Sequence, residues 1–413
     1  MENYMKALVF SKIGEVKIAD VADPRIENEK DAVVKITATS ICGTDLHMVR
    51  GTMAGMRPGT VLGHEAVGIV ESVGDEVKNF KIGDRVVVCS TIACGECEFC
   101  QAEDYSCCDN ANPKGPEAGT AFFGGPELTG PFNGLQAERA RIPYADFVLV
   151  AVPATVSDED ALLTSDIFPT GYMAAEMGDI KPGDTVAVFG CGPVGQMAIA
   201  SAKLMGASKV FAIDTIADRL AQASQQGALT INYSQIDPVK TLKSLTNGFG
   251  PDCCIDAVGV DAQAAHSGPA KPGMLENIAN TIDQKMMAPH SVGSGDQWRQ
   301  GDAPSQVLMW CVEAVRKSGV VSIVGVYPPQ AKFFPIGLAM SKALTMRAAN
   351  CSHFKYVPKL LKMVEEGKFR PSEILSKVER FGDAVECYKH FDKREPGWIK
   401  VELLPGQKAA AAK

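Results

Sequence analysis

The chain has 413 residues, 46% of them apolar and 22% charged, with a formal net charge of −8. That length predicts about two domains with room for a large core, and the composition is that of an ordinary soluble globular protein. The acidic balance without any basic run argues against a nucleic-acid partner, and no apolar run approaches the roughly 18 residues of a membrane span.

The start, MENYMKALVF, lacks the long apolar core of a secretion signal and reads as a strand. Residues 1 to about 40 read as short β segments, KALVF and AVVKITATS, broken by turns such as Ala22-Asp23-Pro24. Cys42-Gly43-Thr44-Asp45-Leu46-His47 follows, and then Gly63-His64-Glu65-Ala66-Val67-Gly68. A lone Cys or His is usually structural; two potential ligands beside glycine turns, 22 residues apart, shift that balance without deciding it. After a turn and strand at 78–88, Cys94, Cys97 and Cys100 stand three apart and Cys108 follows eight later, in the polar run CGECEFCQAEDYSCC. Four thiolates at loop spacing satisfy a closed tetrahedral zinc site, which can fold a loop of about 89–115 that has little apolar residue of its own. With all four positions filled by sulfur, such a metal is structural; Cys107 competes with Cys108 for the fourth place. Thirteen cysteines, an odd number in a chain without a visible secretion signal, point to metal thiolates in a reducing cytoplasm rather than to disulfides.

Lys181-Pro182-Gly183-Asp184 is a turn into the stretch around which the rest is organised, TVAVFGCGPVGQMAIASAKLMGASKVFAID, residues 185–214. An apolar run of buried-strand length is followed by Gly190-Cys191-Gly192-Pro193-Val194-Gly195, an Ala/Met/Leu-rich helix and a second apolar run. Gly190 allows the tight turn, Gly192 lets the backbone approach a pyrophosphate, and Gly195 lets the helix lie close on the sheet. Asp214, nineteen residues after Gly195, stands where a ribose would be held, so the unit reads as a dinucleotide site. The charge of Asp214 would repel a 2′-phosphate, and Thr215, Ile216 and Ala217 offer no cation to offset it, so NAD is expected over NADP. Arg219 either stacks near the adenine or is a solvated surface charge.

Residues 252–259, DCCIDAVG, read as the fourth strand, with Cys253 and Cys254 as core residues. Residues 261–304 then break the pattern as a long polar segment punctuated by Pro and Gly, with one helix-like piece over 274–286. A helix at 305–317, strands at 320–326 and 343–348, and amphipathic helices at 356–367 and 381–391 complete the chain, and the small polar tail 406–413 reads as disordered.

Cys42-Gly-Thr44-Asp-Leu-His47, Gly63-His64-Glu65, the four-cysteine lobe and the GxGPVG turn together resemble the zinc-dependent medium-chain alcohol dehydrogenases, over nearly the whole chain. The resemblance implies an α/β protein: a Rossmann doubly wound parallel sheet (169–350) set within a GroES-like β-rich catalytic domain (1–168, resumed at 351–413). It also implies NAD, two zinc ions per chain and hydride transfer between a small alcohol or aldehyde hydrate and the nicotinamide. Family spacing favours Cys108 over Cys107. The segment Leu163-Thr164-Ser165-Asp166-Ile167-Phe168-Pro169-Thr170-Gly171-Tyr172 is similar to the place where many relatives put a cysteine and glutathione-independent formaldehyde dehydrogenases an aspartate. That likeness makes Cys42, His64 and Asp166 the catalytic zinc ligands, with Glu65 as rival ligand and Asp166 otherwise a helix cap. It gives Thr44 the substrate proton and His47 the next relay toward solvent. Val258, Gly325 and Val326 join the glycine turn as cofactor contacts, and the insertion 261–304 is expected to lie over the cofactor. Relatives often carry a basic residue near Cys351-Ser352-His353 for a phosphate; here only His353 and Lys355 are available.

Within this class a polyol or amino-alcohol (threonine-type) dehydrogenase is the competing reading. A catalytically silent structural relative would need one of Cys42, His64, Asp166 or the glycine turn to be missing, and none is. The family implies a homodimer or homotetramer, with no nucleic acid and no membrane among its partners.

Overall fold

The computed structural model describes residues 3–112, 114, 118–130, 132–289, 291 and 297–406. The end of the zinc lobe, part of the 261–304 insertion and the tail 407–413 therefore lie partly or wholly outside the described residues. The chain divides into two units, one of 1–169, 292–299 and 351–413, the other of 170–291 and 300–350.

The first unit opens with β1 (Tyr4–Lys12) and β2 (Glu15–Ala22), an antiparallel pair. It continues with β3 (Ala32–Ile41), β4 (Ala66–Val73), β5 (Arg85–Val88), β6 (Arg139–Ile142) and β7 (Leu149–Ala151). Between β3 and β4 lies helix α1 (Gly43–Arg50), whose start is fixed by Asp45 accepting the Cys42 N–H at 3.0 Å. Helix α2 (Ile167–Met177) begins at the end of this part of the chain, and its residues from Thr170 on belong to the second unit.

In the second unit β8 (Thr185–Phe189) leads through the glycine turn into α3 (Pro193–Leu204), with Pro193 at its first position, and on to β9 (Lys209–Asp214). Strands β10 (Leu229–Asn232), β11 (Cys253–Asp256), β12 (Val320–Ile323) and β13 (Thr345–Ala348) follow. They form one parallel sheet in the order β10-β9-β8-β11-β12-β13, which in chain order is 3-2-1-4-5-6, the doubly wound arrangement. β8 and β11 are central and almost wholly buried, which is why their sequences are unbroken apolar runs. Inside the insertion, α4 (Met274–Met287) is a full helix, and α5 (Gln306–Ala314) packs against β11.

The chain then supplies the first unit with α6 (His353–Glu365), β14 (Lys377–Arg380), α7 (Ala384–Asp392) and β15 (Val401–Leu404). β15 pairs antiparallel with β3, so the sheet runs β14-β15-β3-β4-β5-β7, with β6 also on β3. Residues 297–299, expected with the nucleotide-binding domain, belong to the first unit instead. Trp298 is buried in the core that contains Phe10, Ile41, Leu46 and Tyr388, and its backbone N–H donates to Asp392 Oδ2 at 2.6 Å. Asp392 also holds Arg50 in a buried ion pair at 2.7 Å. No helix among the described residues is long and apolar enough to cross a membrane.

Candidate metal centres and the glycine turn

Cys42 ends the loop after β3, His64 and Glu65 lead directly into β4, and Asp166 stands one residue before α2. Three segments thus converge, and one donor atom from each of Cys42, His64, Glu65 and Asp166 lies within 4.8 Å of the others. Asp166 Oδ2 is 3.5 Å from Cys42 Sγ and 3.4 Å from His64 Nε2. Donors 2.0–2.3 Å from a tetrahedral ion stand roughly 3.3–3.8 Å apart, so these three atoms fit such an ion. All four side chains are buried.

The surroundings orient each donor. His64 Nδ1 comes within 3.1 Å of Asp45 Oδ1, off the line of a well-formed hydrogen bond, which leaves Nε2 for a metal. Burial by itself would lower the His64 pKa; the charge of Asp45 and then the bond to Asp166 outweigh it and hold it well above its ordinary value. Burial would likewise raise Asp166, but hydrogen bonds from His353 and His64 keep it well below the usual carboxylate range. Burial, and next the Asp166 charge, push the Cys42 thiol up, so a thiolate there requires a cation.

Glu65 is bound differently. Its Oε2 accepts from Ser40 Oγ and from the ammonium of Lys400, both in short contacts, and Lys400 also donates to the Ile41 carbonyl at 3.1 Å. Both partners of this ion pair are fully buried. Glu65 Oε1 has no hydrogen-bond partner among the described residues. Burial would lower the Lys400 pKa, and Glu65 more than offsets that, so the lysine stays charged.

Thr44 is half-buried on α1. His47, expected on the way to solvent, is buried with 4% of its surface exposed, so any relay through it must continue to another group. His353 corrects a further expectation. It is not available to a cofactor phosphate: it is 2% exposed, with Nε2 2.8 Å from Asp166 Oδ1 and Nδ1 3.1 Å from Thr91 Oγ1. Lys355, the other basic residue there, pairs with Glu103 at 3.7 Å.

The second cluster is Cys94, Cys97, Cys100 and Cys108, again with Sγ atoms within 4.8 Å of one another. Cys94–Cys100 and Cys97–Cys108 sulfur pairs are each 3.9 Å apart, close to the edge of a tetrahedral thiolate site. Cys107 is exposed and stands outside the cluster, so geometry selects Cys108. The sulfurs are held by backbone donors: Glu96 and Cys97 N–H to Cys94 Sγ at 3.3 Å, Cys94 N–H to Cys108 Sγ at 3.3 Å. Burial raises the Cys97 thiol, yet N–H groups of Cys100 and Asp109 outweigh it and bring it down to about 7.

At the glycine turn, Gly190 has φ +87°, and a Cβ on Gly195 would overlap the Gly190 carbonyl oxygen. A Cβ on Gly192 would instead make only ordinary contact, 3.6 Å from the Arg219 guanidinium, at the N-terminus of α3. That is the cradle a pyrophosphate needs. Arg219 is thus neither a fully solvated charge nor distant from the turn. Asp214 accepts the Cys191 N–H on Oδ2 at 2.8 Å and the Thr215 and Ile216 N–H groups on Oδ1. Three of about four carboxylate acceptor sites are therefore filled, leaving about one for a ribose hydroxyl. Val258, Gly325 and Val326 lie beyond the carboxyl ends of β11 and β12, packed back to back: Val260 N–H donates to the Val326 carbonyl at 2.9 Å.

The supporting roles of Asp45, Lys400 and Ser40 have no counterpart in the sequence reading, where His353 figures only as a basic residue available to a phosphate. Only Lys400 leaves a trace there, as a cation inside the otherwise strand-like Trp398-Ile399-Lys400-Val401.

Residues 28–154 match the family described as Alcohol dehydrogenase GroES-like domain, and residues 193–268 match Zinc-binding dehydrogenase. An uncharacterized zinc-type alcohol dehydrogenase-like protein of Bacillus subtilis, AdhB, is 36% identical over 405 residues, covering 97% of this chain and 100% of that one. The glutathione-independent formaldehyde dehydrogenase of Pseudomonas aeruginosa is 30% identical, covering 95% and 96%. The solved alcohol dehydrogenase TADH from Thermus sp. ATN1 superposes with a TM-score of 0.79 at 34% identity, over 97% and 99% of the two chains. With this likeness along nearly its full length, the chain belongs to the zinc-dependent medium-chain alcohol dehydrogenase family.

Proposed function

We propose that this chain is an NAD-dependent dehydrogenase of small alcohols or aldehyde hydrates, with a catalytic zinc on Cys42, His64 and Asp166. A structural zinc is held by Cys94, Cys97, Cys100 and Cys108. The observation that carries the reading is the triangle of Cys42 Sγ, His64 Nε2 and Asp166 Oδ2, two of whose edges measure 3.5 and 3.4 Å. Thiolate, imidazole and carboxylate together neutralise a dication and leave one tetrahedral position free. Zinc bound there supplies Lewis acidity, which lowers the pKa of the substrate hydroxyl toward neutrality. Asp45 fixes the His64 ring, and Lys400 with Ser40 keeps Glu65 from displacing the substrate. Thr44 accepts the substrate proton, and His47 passes it on.

NAD is favoured over NADP because the Asp214 carboxylate is locked in place by three backbone N–H groups and would face a 2′-phosphate with its charge. An aldehyde hydrate offers the same oxygen and the same transferable hydrogen as an alcohol, so one site serves both without a thiol carrier. The 30% identity to formaldehyde dehydrogenases that are glutathione-independent supports that substrate class. The thirteen free cysteines support a reducing cytoplasm. The open, exposed edge of β13 supports a homodimer or homotetramer.

The test supplies formaldehyde, short aldehydes and short alcohols with NAD or NADP, with and without glutathione, and follows nicotinamide absorbance. Activity on a small alcohol or aldehyde with NAD alone is expected. Strict dependence on glutathione, or no turnover of any member of the panel, would overturn the assignment.

A further inference from the structure

Asp166 has two carboxylate oxygens, and only one of them faces the other donors. Oδ2 lies against Cys42 and His64, whereas Oδ1 is 2.8 Å from His353 Nε2. An ionised carboxylate can only accept, so His353 Nε2 carries the hydrogen and donates it. The far side of the ring is held as well: Nδ1 is 3.1 Å from Thr91 Oγ1, and that hydroxyl reaches the Cys351 carbonyl at 3.1 Å. His353 is the first residue of α6 and is 2% exposed, so water does not compete for Oδ1. The arrangement mirrors Asp45 and His64. There a carboxylate lies beside an imidazole donor, out of line for a hydrogen bond; here an imidazole hydrogen-bonds and so orients a carboxylate donor.

We propose that His353 is the positioning residue that makes Asp166 a one-oxygen metal ligand. A carboxylate with both oxygens free can grip a cation with one or with both, and the second grip would take the position the substrate needs. By occupying Oδ1, His353 leaves Oδ2 alone to the metal and keeps the fourth position open. This rests on the reading of Cys42, His64 and Asp166 as the zinc ligands.

The two shortened amides separate the two ring contacts. In His353→Asn the amide nitrogen replaces Nδ1, which keeps Thr91 and the start of α6 but abandons Asp166. In His353→Gln it replaces Nε2 and retains the Asp166 bond. The enzyme with cobalt(II) exchanged for zinc is compared by visible absorption, by the rate of metal release to a chelator, and by kcat and KM. The Gln variant should keep the intense bands of a four-coordinate cobalt(II) ion. The Asn variant should show the weaker bands of a higher coordination number, with metal release or kcat altered about 10- to 100-fold. KM for NAD should stay unchanged. Should the Asn variant fold poorly, Thr91→Val is measured with it, and its loosened ring should move the bands in the same direction. Wild-type bands and wild-type metal release in His353→Asn would overturn the proposal. Asp166→Asn distinguishes the two failures. If it changes the bands while His353→Asn does not, only the positioning role falls; if it leaves them unchanged, the ligand reading falls and the positioning role with it.

Discussion

The two clusters of metal-binding character are built on opposite plans. The four cysteines come from 15 consecutive residues, and their sulfurs are steadied chiefly by backbone N–H groups of the same loop. The mixed cluster draws Cys42 and Asp166 from positions 124 apart, and side chains steady it: Ser40 and Asp45 from beside Cys42, His353 and Lys400 from far along the chain. A loop that turns its own N–H groups on its own sulfurs needs little from the rest of the fold. A centre whose histidine and carboxylates are held by other side chains depends on the whole catalytic unit being folded first. The first plan suits a metal that holds structure, the second a metal whose ligand geometry must be set finely.

The largest effect should come from the mixed cluster. Asp166→Ala is expected to cut kcat/KM by on the order of 1000-fold or more while the protein stays folded. Metal analysis should fall from about two zinc ions per chain to about one. Cys97→Ser should also remove about one zinc, but its cost should appear as stability, on the order of 5 kcal/mol, because binding energy at a closed site is folding energy. Turnover per remaining catalytic zinc should change little. If Cys97→Ser instead abolished turnover at unchanged melting temperature, the division of labour between the clusters would be wrong.

The side-chain plan has a vulnerable point in the buried pair Glu65–Lys400. Removing the cation by Lys400→Met leaves a carboxylate uncompensated in the interior, and about 3–5 kcal/mol of stability should be lost. The backbone plan offers a contrasting probe in Asn110, whose amide donates to Cys94 Sγ at 3.2 Å alongside several N–H groups. Asn110→Ala should cost only about 1 kcal/mol. Denaturant titrations of the two variants measure the contrast directly. Comparable losses would show that the mixed cluster depends on its side-chain supports no more than the lobe does. Glu65→Gln added to Lys400→Met should recover much of the loss, because it removes the stranded charge.

This contrast also explains what the sequence made legible. The parallel sheet was readable because β8, β9 and β11 are buried on both faces and therefore apolar without alternation. The glycine turn and the four cysteines were readable because their geometry is local and so leaves a spacing. Asp166 carries no local signature and entered only through a resemblance. In the sequence His353 is only one of two basic residues available near a phosphate, because a histidine at the start of a helix looks the same whatever its ring touches; its partners, Asp166 and Thr91, are 187 and 262 residues away. Trp298 was hidden for a related reason. A single aromatic in a polar insertion gives no sign that it is buried in the core of the other unit.

The smallest expected effect uses a second buried glutamate, two residues beyond Lys400. Glu402 on β15 is 2% exposed, and its Oε2 has no hydrogen-bond partner among the described residues. Unlike Glu65 it has no cation among the described residues that lowers it: burial, then the charges of Glu159 and Asp158, push its pKa up to about 7. The unfolded chain would titrate near 4.3. A carboxyl raised in the folded state contributes stability that is complete below the unfolded value and is lost as pH climbs through the folded one. The wild type should therefore lose stability between about pH 4.5 and pH 7 from this group, by about 1–2 kcal/mol once solvent screening is discounted. Glu402→Gln carries no such proton. Its melting temperature should match the wild type near pH 4 and exceed it at pH 8, with the gap opening between about pH 4.5 and pH 7. The chain would then hold both cases, a buried carboxylate matched by a lysine and one left to hold its proton. A constant gap across pH 5 to 8 would mean that Glu402 is charged throughout, and that a partner beyond Glu159 and Asp158 compensates it.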